Sequence, residues 1–444
     1  MYERVGFLEF GSWLCFTNRV LFDPFYFFVG FFSRRIRRKG NFYLALDIGT
    51  DVVKALICSA EGNKGRVIGV GRKAQKLGDM HSGVVTDIAS VIRNCQDAIR
   101  DAERTAGVHP EQMVIGIAGE LVKGATITTS YTRRDPDTKI DLSELKNIVH
   151  KVQWKAFEQV RSQLSAETGY NEIDVKLVNA AIVDVRIDGY KVTNPIGFQG
   201  REVVMSIFNA FAPLVHYGAL QTIAAELDIE LLSVAAEPYA VSRCLREEEG
   251  GSQVNAIFID IGGGTTDVAL VQNGRVEGTK MFTMGGRTFT KRLSHSLNIS
   301  YEEAEMIKLT YSADRLEKHS QKIVREAMKS DCDVWLSGII LTLSEFDIDS
   351  LPTKIYLCGG GSKLPEIFEV LDSREWVKTL PFSKKPQVSF LSPKMVANMY
   401  DETKLLKEVQ DVTPMALANM TLDFVGEEHI LSTLLKKVVR LMQI

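Results

Sequence analysis

Two stretches of the sequence share one pattern of apolar and polar positions. Residues 256–271 run from an apolar, β-branched segment into Asp260, then through a glycine-rich turn with two threonines into a second apolar segment. Residues 42–58 repeat this order on a smaller scale, with Asp47 before a shorter turn. Each stretch predicts a β-hairpin with a carboxylate at its tip. The repetition predicts a duplicated architecture whose two halves face each other.

Helical and strand periodicities alternate through the rest of the chain. The predicted helices are 88–106, 141–160, 214–227, 288–297, 301–309, 314–344 and 364–371, and the predicted strands are 113–117, 125–132, 173–187, 190–192, 202–211, 229–234 and 355–358. Residues 67–70 and 83–86 are typical of further strand or turn pieces. The strands within 119–212 alternate as in a small antiparallel sheet, so we interpret this segment as an inserted α+β module. The polar segment 247–252 indicates a boundary.

The second hairpin tip has the residue types that bind a polyanion. Its members are Gly262, Gly263, Gly264, Thr265 and Thr266. Glycines let backbone N–H groups approach phosphate oxygens closely, threonines add hydroxyl donors, and Asp260 can hold a divalent cation or its water. Such a tip suits a nucleoside triphosphate with magnesium. The alternative is a tight turn whose glycines only supply positive φ.

A third glycine element, Gly359, Gly360 and Gly361, lies between a strand and a helix with Pro365 in its first turn. This loop and the helix N-terminus can receive a phosphate or a purine edge. The element lacks the Gly-Lys-Ser/Thr ending of a P-loop and contains no Gly-x-Gly-x-x-Gly. These differences disfavour P-loop and Rossmann folds.

Four further side chains have two interpretations each. Lys54 can reach back to a phosphate or remain a solvated strand lysine. Glu305 and Lys308, three residues apart, can bracket a ribose or form an exposed ion pair on one helix face. Glu237, at a strand-to-helix junction, can orient an attacking water or simply favour the positive end of its helix.

The composition and the two ends of the chain bear on the partners and the compartment of the protein. The chain has 444 residues and a net charge of −3, which offers nucleic acid no global attraction. Its six cysteines are scattered, which favours a reducing compartment over disulfides or zinc. Residues 1–40 are aromatic and basic, as in an interfacial anchor or an extension outside the fold. Residues 430–444 are amphipathic, as in a helix lying on a membrane surface or docked on its own domain.

The Asp47 hairpin, the Asp260 hairpin and the Gly359 loop together resemble the two phosphate motifs and the adenosine motif of the superfamily of actin, heat-shock chaperones and sugar kinases. The resemblance implies an α/β actin-like ATPase fold, with two lobes of duplicated βββαβα-type subdomains. The module at 119–212, which would be of the SHS2 type, and the terminal helix resemble the bacterial FtsA family over about residues 41–444. A short link at 426–429 and the aromatic extension depart from that family.

The resemblance also implies an organisation of the chain. The implied parts are an extension (1–40), subdomain 1A (41–118, with returns at 213–250 and 390–428), the inserted subdomain 1C (119–212), subdomain 2A (251–290, with a return at 354–389), subdomain 2B (291–353) and a membrane-targeting helix (429–444). Two other members of the superfamily are alternatives. One is a PilM-like component of type IV pilus assembly, which lacks the terminal helix, and the other is a small-molecule kinase.

By the same resemblance, ATP and Mg²⁺ would bind between the two lobes, with at most slow hydrolysis. The implied roles are Asp47 and Asp260 for magnesium or its waters; Gly49, Thr50, Lys54 and Gly262 to Thr266 for phosphates; Glu305, Lys308, Gly359, Gly360 and Gly361 for adenosine; and Glu237 for water activation. The implied partners are other copies in a filament, the C-terminal tail of the tubulin-like protein FtsZ, and an anionic membrane at the cytoplasmic face of the division site. Nucleic acid is not among them.

Overall fold

The computed structural model describes residues 41–119, 122–168, 175–245 and 253–424, together with Leu435. Its strands, in chain order, are β1 (Phe42–Ile48), β2 (Val52–Glu61), β3 (Lys64–Ala74), β4 (Met80–His81), β5 (Val84–Val85), β6 (Gln112–Ile117), β7 (Lys123–Thr132), β8 (Val175–Ile187), β9 (Tyr190–Lys191), β10 (Glu202–Pro213), β11 (Glu230–Ala236), β12 (Ala256–Ile261), β13 (Thr266–Gln272), β14 (Arg275–Phe282), β15 (Lys354–Cys358), β16 (Gln387–Phe390) and β17 (Met399–Asp401). Its helices are α1 (Ile88–Ala106), α2 (Leu142–Thr168), α3 (Leu214–Leu227), α4 (Glu237–Ser242), α5 (Gly286–Leu297), α6 (Tyr301–Ser312), α7 (Lys318–Ser344), α8 (Pro365–Leu371) and α9 (Val412–Met420). None of the helices in these ranges is long and apolar enough to cross a bilayer.

Two sheets are built on the two predicted hairpins. In a six-stranded sheet the order is β11-β6-β1-β2-β3-β17, and in a nine-stranded sheet it is β16-β15-β12-β13-β14-β7-β10-β8-β9. The strands β1, β2 and β3 form an antiparallel meander, and β12, β13 and β14 form a second one. A parallel strand, β6 or β15, then pairs with the first strand of each meander. The predicted hairpins and their duplication are therefore confirmed.

The third strand of the first meander is longer than the sequence predicts. Only residues 67–70 have a clear apolar pattern, whereas β3 spans Lys64–Ala74. Charged residues occupy both ends of β3, which hides its strand pattern. The helix α1 packs against β2 and β3, and a Cβ on Gly69 or Gly71 would clash with the α1 backbone. Both glycines are therefore needed for this close contact between helix and sheet.

The bounds of α1 agree with those predicted from the sequence. The Asp87 carboxylate accepts a hydrogen bond from the Ser90 N–H at 2.9 Å, which caps the first turn. Gly107 ends the helix with φ at 68° in the left-handed region. The amphipathic pattern, the cap and the terminal glycine all indicate this helix before any tertiary contact is known.

The inserted module contains the predicted antiparallel strands, but its sheet is not separate. The strands β7, β10, β8 and β9 extend the nine-stranded sheet, because β7 pairs with β14 at Gly124 and Thr279. A Cβ on Gly124 would clash with the Thr279 hydroxyl, so this junction requires glycine. The helix α2 continues to Thr168, beyond its predicted end at 160, because no glycine or proline interrupts the sequence before Gly169. The subdomain bounds stay a prediction.

The carboxyl end of the chain is described at one residue only. Leu435 is 3% exposed and belongs to the buried cluster of the inserted module, which includes Ile148 of α2 and Met205 of β10. Its burial favours the docked alternative at that position. The rest of the predicted membrane helix, the extension 1–40 and the linker 247–252 lie outside the described residues.

Candidate functional site

A cavity of about 850 Å³ lies where the tips of the two hairpins meet. A Cβ on Gly263 would clash with the Asp51 carboxylate, and a Cβ on Gly264 would lie 3.0 Å from the Thr50 hydroxyl. The glycines therefore allow the tips to approach. Most predicted site residues line the cavity: Asp47, Gly49, Thr50, Lys54, Glu237, Asp260, Gly262, Gly263, Thr265, Glu305, Lys308, Gly359, Gly360 and Gly361.

The second tip presents a run of backbone donors. The Gly262 N–H donates to the Thr265 carbonyl at 2.9 Å, which closes the turn. The N–H groups of Gly263, Gly264 and Thr265 donate to no acceptor among the residues that the structure describes. Successive N–H groups with no protein acceptor form an anion-binding concavity. The tip therefore suits phosphate oxygens.

The first tip contributes a buried ion pair. The Lys54 Nζ lies 2.8 Å from Asp47 Oδ2, and the two residues face each other across β1 and β2. Burial lowers the pKa of Lys54, but the carboxylates of Asp47, Asp260 and Glu237 together outweigh this effect, so the pKa is raised overall. Lys54 is therefore a largely enclosed cation in the cavity wall, with 16% of its side chain exposed, and its interpretation as a solvated strand lysine is wrong.

Three carboxyl groups near this ion pair are poorly neutralised. Burial raises the pKa of Asp260, although the Thr413 hydroxyl, which donates to this carboxylate, partly offsets the effect. Burial also raises the pKa of Asp267 to about 7, with a further contribution from the charge of Asp260. The pKa of Glu237 is raised well above its usual value by burial and then by the neighbouring aspartates. The cavity thus holds more carboxyl groups than Lys54 can neutralise, and burial favours their protonated forms.

This excess of carboxyl groups fits a bound cation, which would favour their ionised forms. Within the ranges described, no group of three or more His, Cys, Asp and Glu side chains forms a complete metal site. Magnesium does not need one, because it binds through one or two carboxylates and completes its shell with water and phosphate oxygens. Asp47 and Asp260 are the carboxylates that would hold it, directly or through water.

Glu237 reaches the cavity because of a glycine on the neighbouring strand. It begins α4 directly after β11, and a Cβ on Gly116 of β6 would lie 2.6 Å from its carboxylate oxygen. Gly116 therefore clears the space that the Glu237 side chain occupies. The carboxylate lines the cavity with Asp47 and Asp260, where a side chain could orient a water.

Glu305 and Lys308 form the predicted i,i+3 ion pair, with 2.8 Å between Lys308 Nζ and Glu305 Oε2. The pair is not an exposed one, because Lys308 is only 6% exposed. Its ammonium also donates to the Gly286 carbonyl at 3.0 Å and the Thr290 hydroxyl at 2.7 Å. These bonds hold α6 against the start of α5.

The third glycine element packs directly against the second tip. Gly359 has φ at 81°, and a Cβ there would clash with the Asp260 carboxylate. A Cβ on Gly361 would lie 2.6 Å from Ile261 Cγ2. Both positions therefore require glycine. A single 3₁₀ turn, Gly360–Lys363, precedes α8, so the loop has the predicted strand-turn-helix order.

Two predicted phosphate contacts need correction. Thr266 is fully buried, and its hydroxyl donates to the Met284 carbonyl at 2.6 Å and accepts from the Trp335 indole N–H at 2.9 Å. The prediction that this hydroxyl contacts a phosphate is wrong, because both bonds point it into the core. Gly264 does not line the cavity, since it packs against Thr50 and Ser82.

Arg287, which was not among the predicted site residues, joins the two hairpins. Its guanidinium donates to the Thr50 carbonyl at 2.6 Å, to the Met80 carbonyl at 2.9 Å and to the Asp51 carboxylate. The Arg287 N–H also donates to the Gly263 carbonyl at 2.8 Å. The only sequence signal was the glycine turn at 284–286. An arginine that follows such a turn does not by itself indicate which carbonyls it will reach.

Comparisons with known proteins agree with this geometry. A family model described as "Cell division protein FtsA" matches residues 257–406, which include the second hairpin and the third glycine element. The chain is 23% identical over 354 residues to the cell division protein FtsA of Enterococcus faecalis, covering 75% of this chain and 76% of that protein. It is 25% identical to FtsA of Streptococcus pneumoniae, covering 74% and 73%.

A solved structure supports the fold. The chain resembles the protein in the structure titled "PilM-PilN type IV pilus biogenesis complex" with a TM-score of 0.61 and 17% identity, covering 86% of this chain and 98% of that one. At this identity the likeness concerns the fold alone. The chain is therefore similar in sequence to bacterial cell-division FtsA proteins, and its fold is the actin-like ATPase fold.

Proposed function

We propose that the protein binds ATP with Mg²⁺ in the cavity between the two hairpins. The observation that carries this proposal is the meeting of two glycine tips beside a cluster of largely buried carboxyls. At the second tip the N–H groups of Gly263 and Thr265 line the cavity and have no acceptor in the described part of the chain. The N–H groups would bind phosphate oxygens. Magnesium would neutralise both the phosphates and the carboxylates. One bound Mg²⁺-ATP would therefore account for both the N–H donors and the carboxyl cluster.

Different residues of the cavity would contact different parts of the nucleotide. Lys54, held by Asp47, would bind a phosphate from the first tip, and Asp260 would hold the cation or its water. Glu305 and Lys308 would contact the ribose, and the loop Gly359 to Gly361 would face the adenine. Glu237 is the residue we propose to accept a proton from an attacking water. Rapid turnover is not required, because a filament protein can use its nucleotide as a conformational ligand.

Removing the Asp260 charge should weaken magnesium-dependent ATP binding. Asp260→Asn keeps the size of the side chain and a bond partner for Thr413, but it removes one carboxylate from the cation. Loss of a charge-assisted contact costs about 2 kcal/mol, which is roughly thirtyfold in affinity. Isothermal titration calorimetry with ATP and excess Mg²⁺ measures this. Asp347→Asn, which changes an exposed aspartate, should bind like the wild type. Equal affinities for Asp260→Asn and the wild type would show that the hairpin is only a turn.

The affinity for Mg²⁺-ATP should fall as the pH falls from 8 to 6. The pKa of Asp267 is raised to about 7, so the group is neutral below that pH and ionised above it. A cation favours the ionised form, and binding at low pH must therefore release a proton. Asp267→Asn removes this group but leaves the titration of the nucleotide itself. The wild type should lose about tenfold more affinity than the variant across this range. Parallel pH profiles for the two proteins would contradict the assignment.

We further propose that the protein acts in cell division as a filament-forming tether between FtsZ and the membrane. The support is the relationship to FtsA proteins. The amphipathic sequence 430–444 would lie on an anionic leaflet. Because Leu435 is buried in the inserted module, attachment through this sequence would require Leu435 to leave that position.

The tether should carry an FtsZ tail peptide onto vesicles. In sedimentation with phosphatidylglycerol vesicles, ATP and Mg²⁺, the full chain should bring a labelled peptide from the FtsZ carboxyl terminus of the same organism into the pellet. A variant with Lys436, Lys437 and Arg440 changed to Glu should bind the peptide in solution but stay in the supernatant. Failure of both proteins to bind the peptide would refute the tether. Unchanged pelleting of the variant would refute the membrane helix.

A further inference from the structure

A second cavity, of about 1230 Å³, shares no lining residue with the first. One wall is formed by the beginnings of β12 and β15, at Ala256 and Tyr356. The opposite wall is formed by the segment 393–407 and by Met415 of α9. We call this cavity the rear cleft. Neither the predicted site residues nor the proposed nucleotide function makes use of it.

The floor of the rear cleft is apolar and fixed in place. Val396, Met399 and Met415 are each at most 3% exposed and belong to the core of the six-stranded sheet. The backbone of the opposite wall is tied to the segment that follows α4, because the Ala397 N–H donates to the Cys244 carbonyl at 2.7 Å. The cleft is therefore formed before a ligand arrives, which lowers the entropic cost of binding.

Large apolar side chains remain in solvent at the mouth of the cleft. Met395 is 38% exposed and Tyr400 is 49% exposed, and both line the cavity. Single exposed apolar residues are ordinary, but two of them continuous with an apolar floor form a surface that gains free energy when it is covered.

The rim of the rear cleft is positively charged. Lys394, Lys404 and Lys407 are exposed, and none has an ion-pair partner among the residues that the structure describes. Asp401, whose carboxylate accepts hydrogen bonds from the backbone N–H groups of Thr403 and Leu406, both at 2.9 Å, is the one acidic residue in the described lining of the cleft and offsets only one of these three charges. In a chain of net charge −3, this local excess of positive charge selects an anionic partner.

We propose that the rear cleft binds a short acidic peptide segment of a partner protein. Two or three apolar side chains of the peptide would rest on the Met399 and Met415 floor, and its Asp or Glu residues would face the three lysines. Pockets for small molecules measure roughly 300–1,000 Å³, so the cleft is too large for one metabolite but suits several side chains of a docked peptide. The proposal does not depend on nucleotide binding at the first cavity.

An unbiased selection tests the proposal. A phage-displayed library of random 12-residue peptides is selected on the full-length protein, and the enriched sequences are synthesised with a fluorescent label. We expect the enriched peptides to combine Asp or Glu with large apolar residues. In fluorescence anisotropy, Lys394→Glu/Lys404→Glu/Lys407→Glu should weaken their binding by about tenfold or more, since three exposed attractions become repulsions. Higher salt should weaken binding to the wild type as well.

Two further variants test whether binding depends on the residues of the rear cleft or only on the net charge of the protein. Met395→Asp should also weaken binding, because it puts a charge against the apolar part of the peptide. Lys291→Glu/Lys378→Glu/Lys384→Glu makes the same net charge change at exposed lysines outside the cleft and should bind like the wild type. The proposal is overturned if enriched peptides lack acidic residues or bind all variants equally. It is also overturned if no peptide is enriched while oleate binds in a lysine-dependent manner, which would assign the cleft to an acyl chain.

Discussion

The structure depends on the contact between two hairpin tips that lie more than 200 residues apart in the sequence. Glycines at 263 and 264 let the second tip approach the first, and Arg287 then holds them with bonds to the Thr50 carbonyl and the Asp51 carboxylate. Because Arg287 also donates from its backbone to Gly263, one residue joins both tips. The cavity, its N–H donors and its carboxyl cluster exist only while this contact is made.

The sequence predicted the local elements better than the contacts between them. The duplicated hairpins and α1 follow from apolar periodicity, caps and glycines, which are encoded within short windows. Thr266 was misjudged because its environment, the Met284 carbonyl and the Trp335 indole, comes from distant parts of the chain. Arg287 was missed for the same reason. The continuous nine-stranded sheet was also not predictable, since it depends on one tertiary junction at Gly124.

Electrostatics explains why the candidate site is poised for a ligand. Lys54 is the partner of Asp47, while Glu237 and Asp267 have raised pKa values because burial and like charges disfavour their ionised forms. A bound cation with its phosphates would offset both the burial of these carboxyls and the repulsion between them. The rear cleft has the opposite character, with an apolar floor and a rim of lysines. The two cavities nevertheless use neighbouring residues of α9, Thr413 in one and Met415 in the other.

In the proposed site, both hairpin tips bind the same nucleotide. Hydrogen–deuterium exchange with mass spectrometry, on peptides covering residues 48–54 and 260–268 with and without Mg²⁺-ATP, reports whether the nucleotide protects both tips. We expect the nucleotide to slow exchange at both tips together. Arg287→Lys, which keeps the charge but loses most of the hydrogen-bond donors of the guanidinium, should weaken this joint protection. Protection of one tip alone, or of neither, would contradict the proposed site.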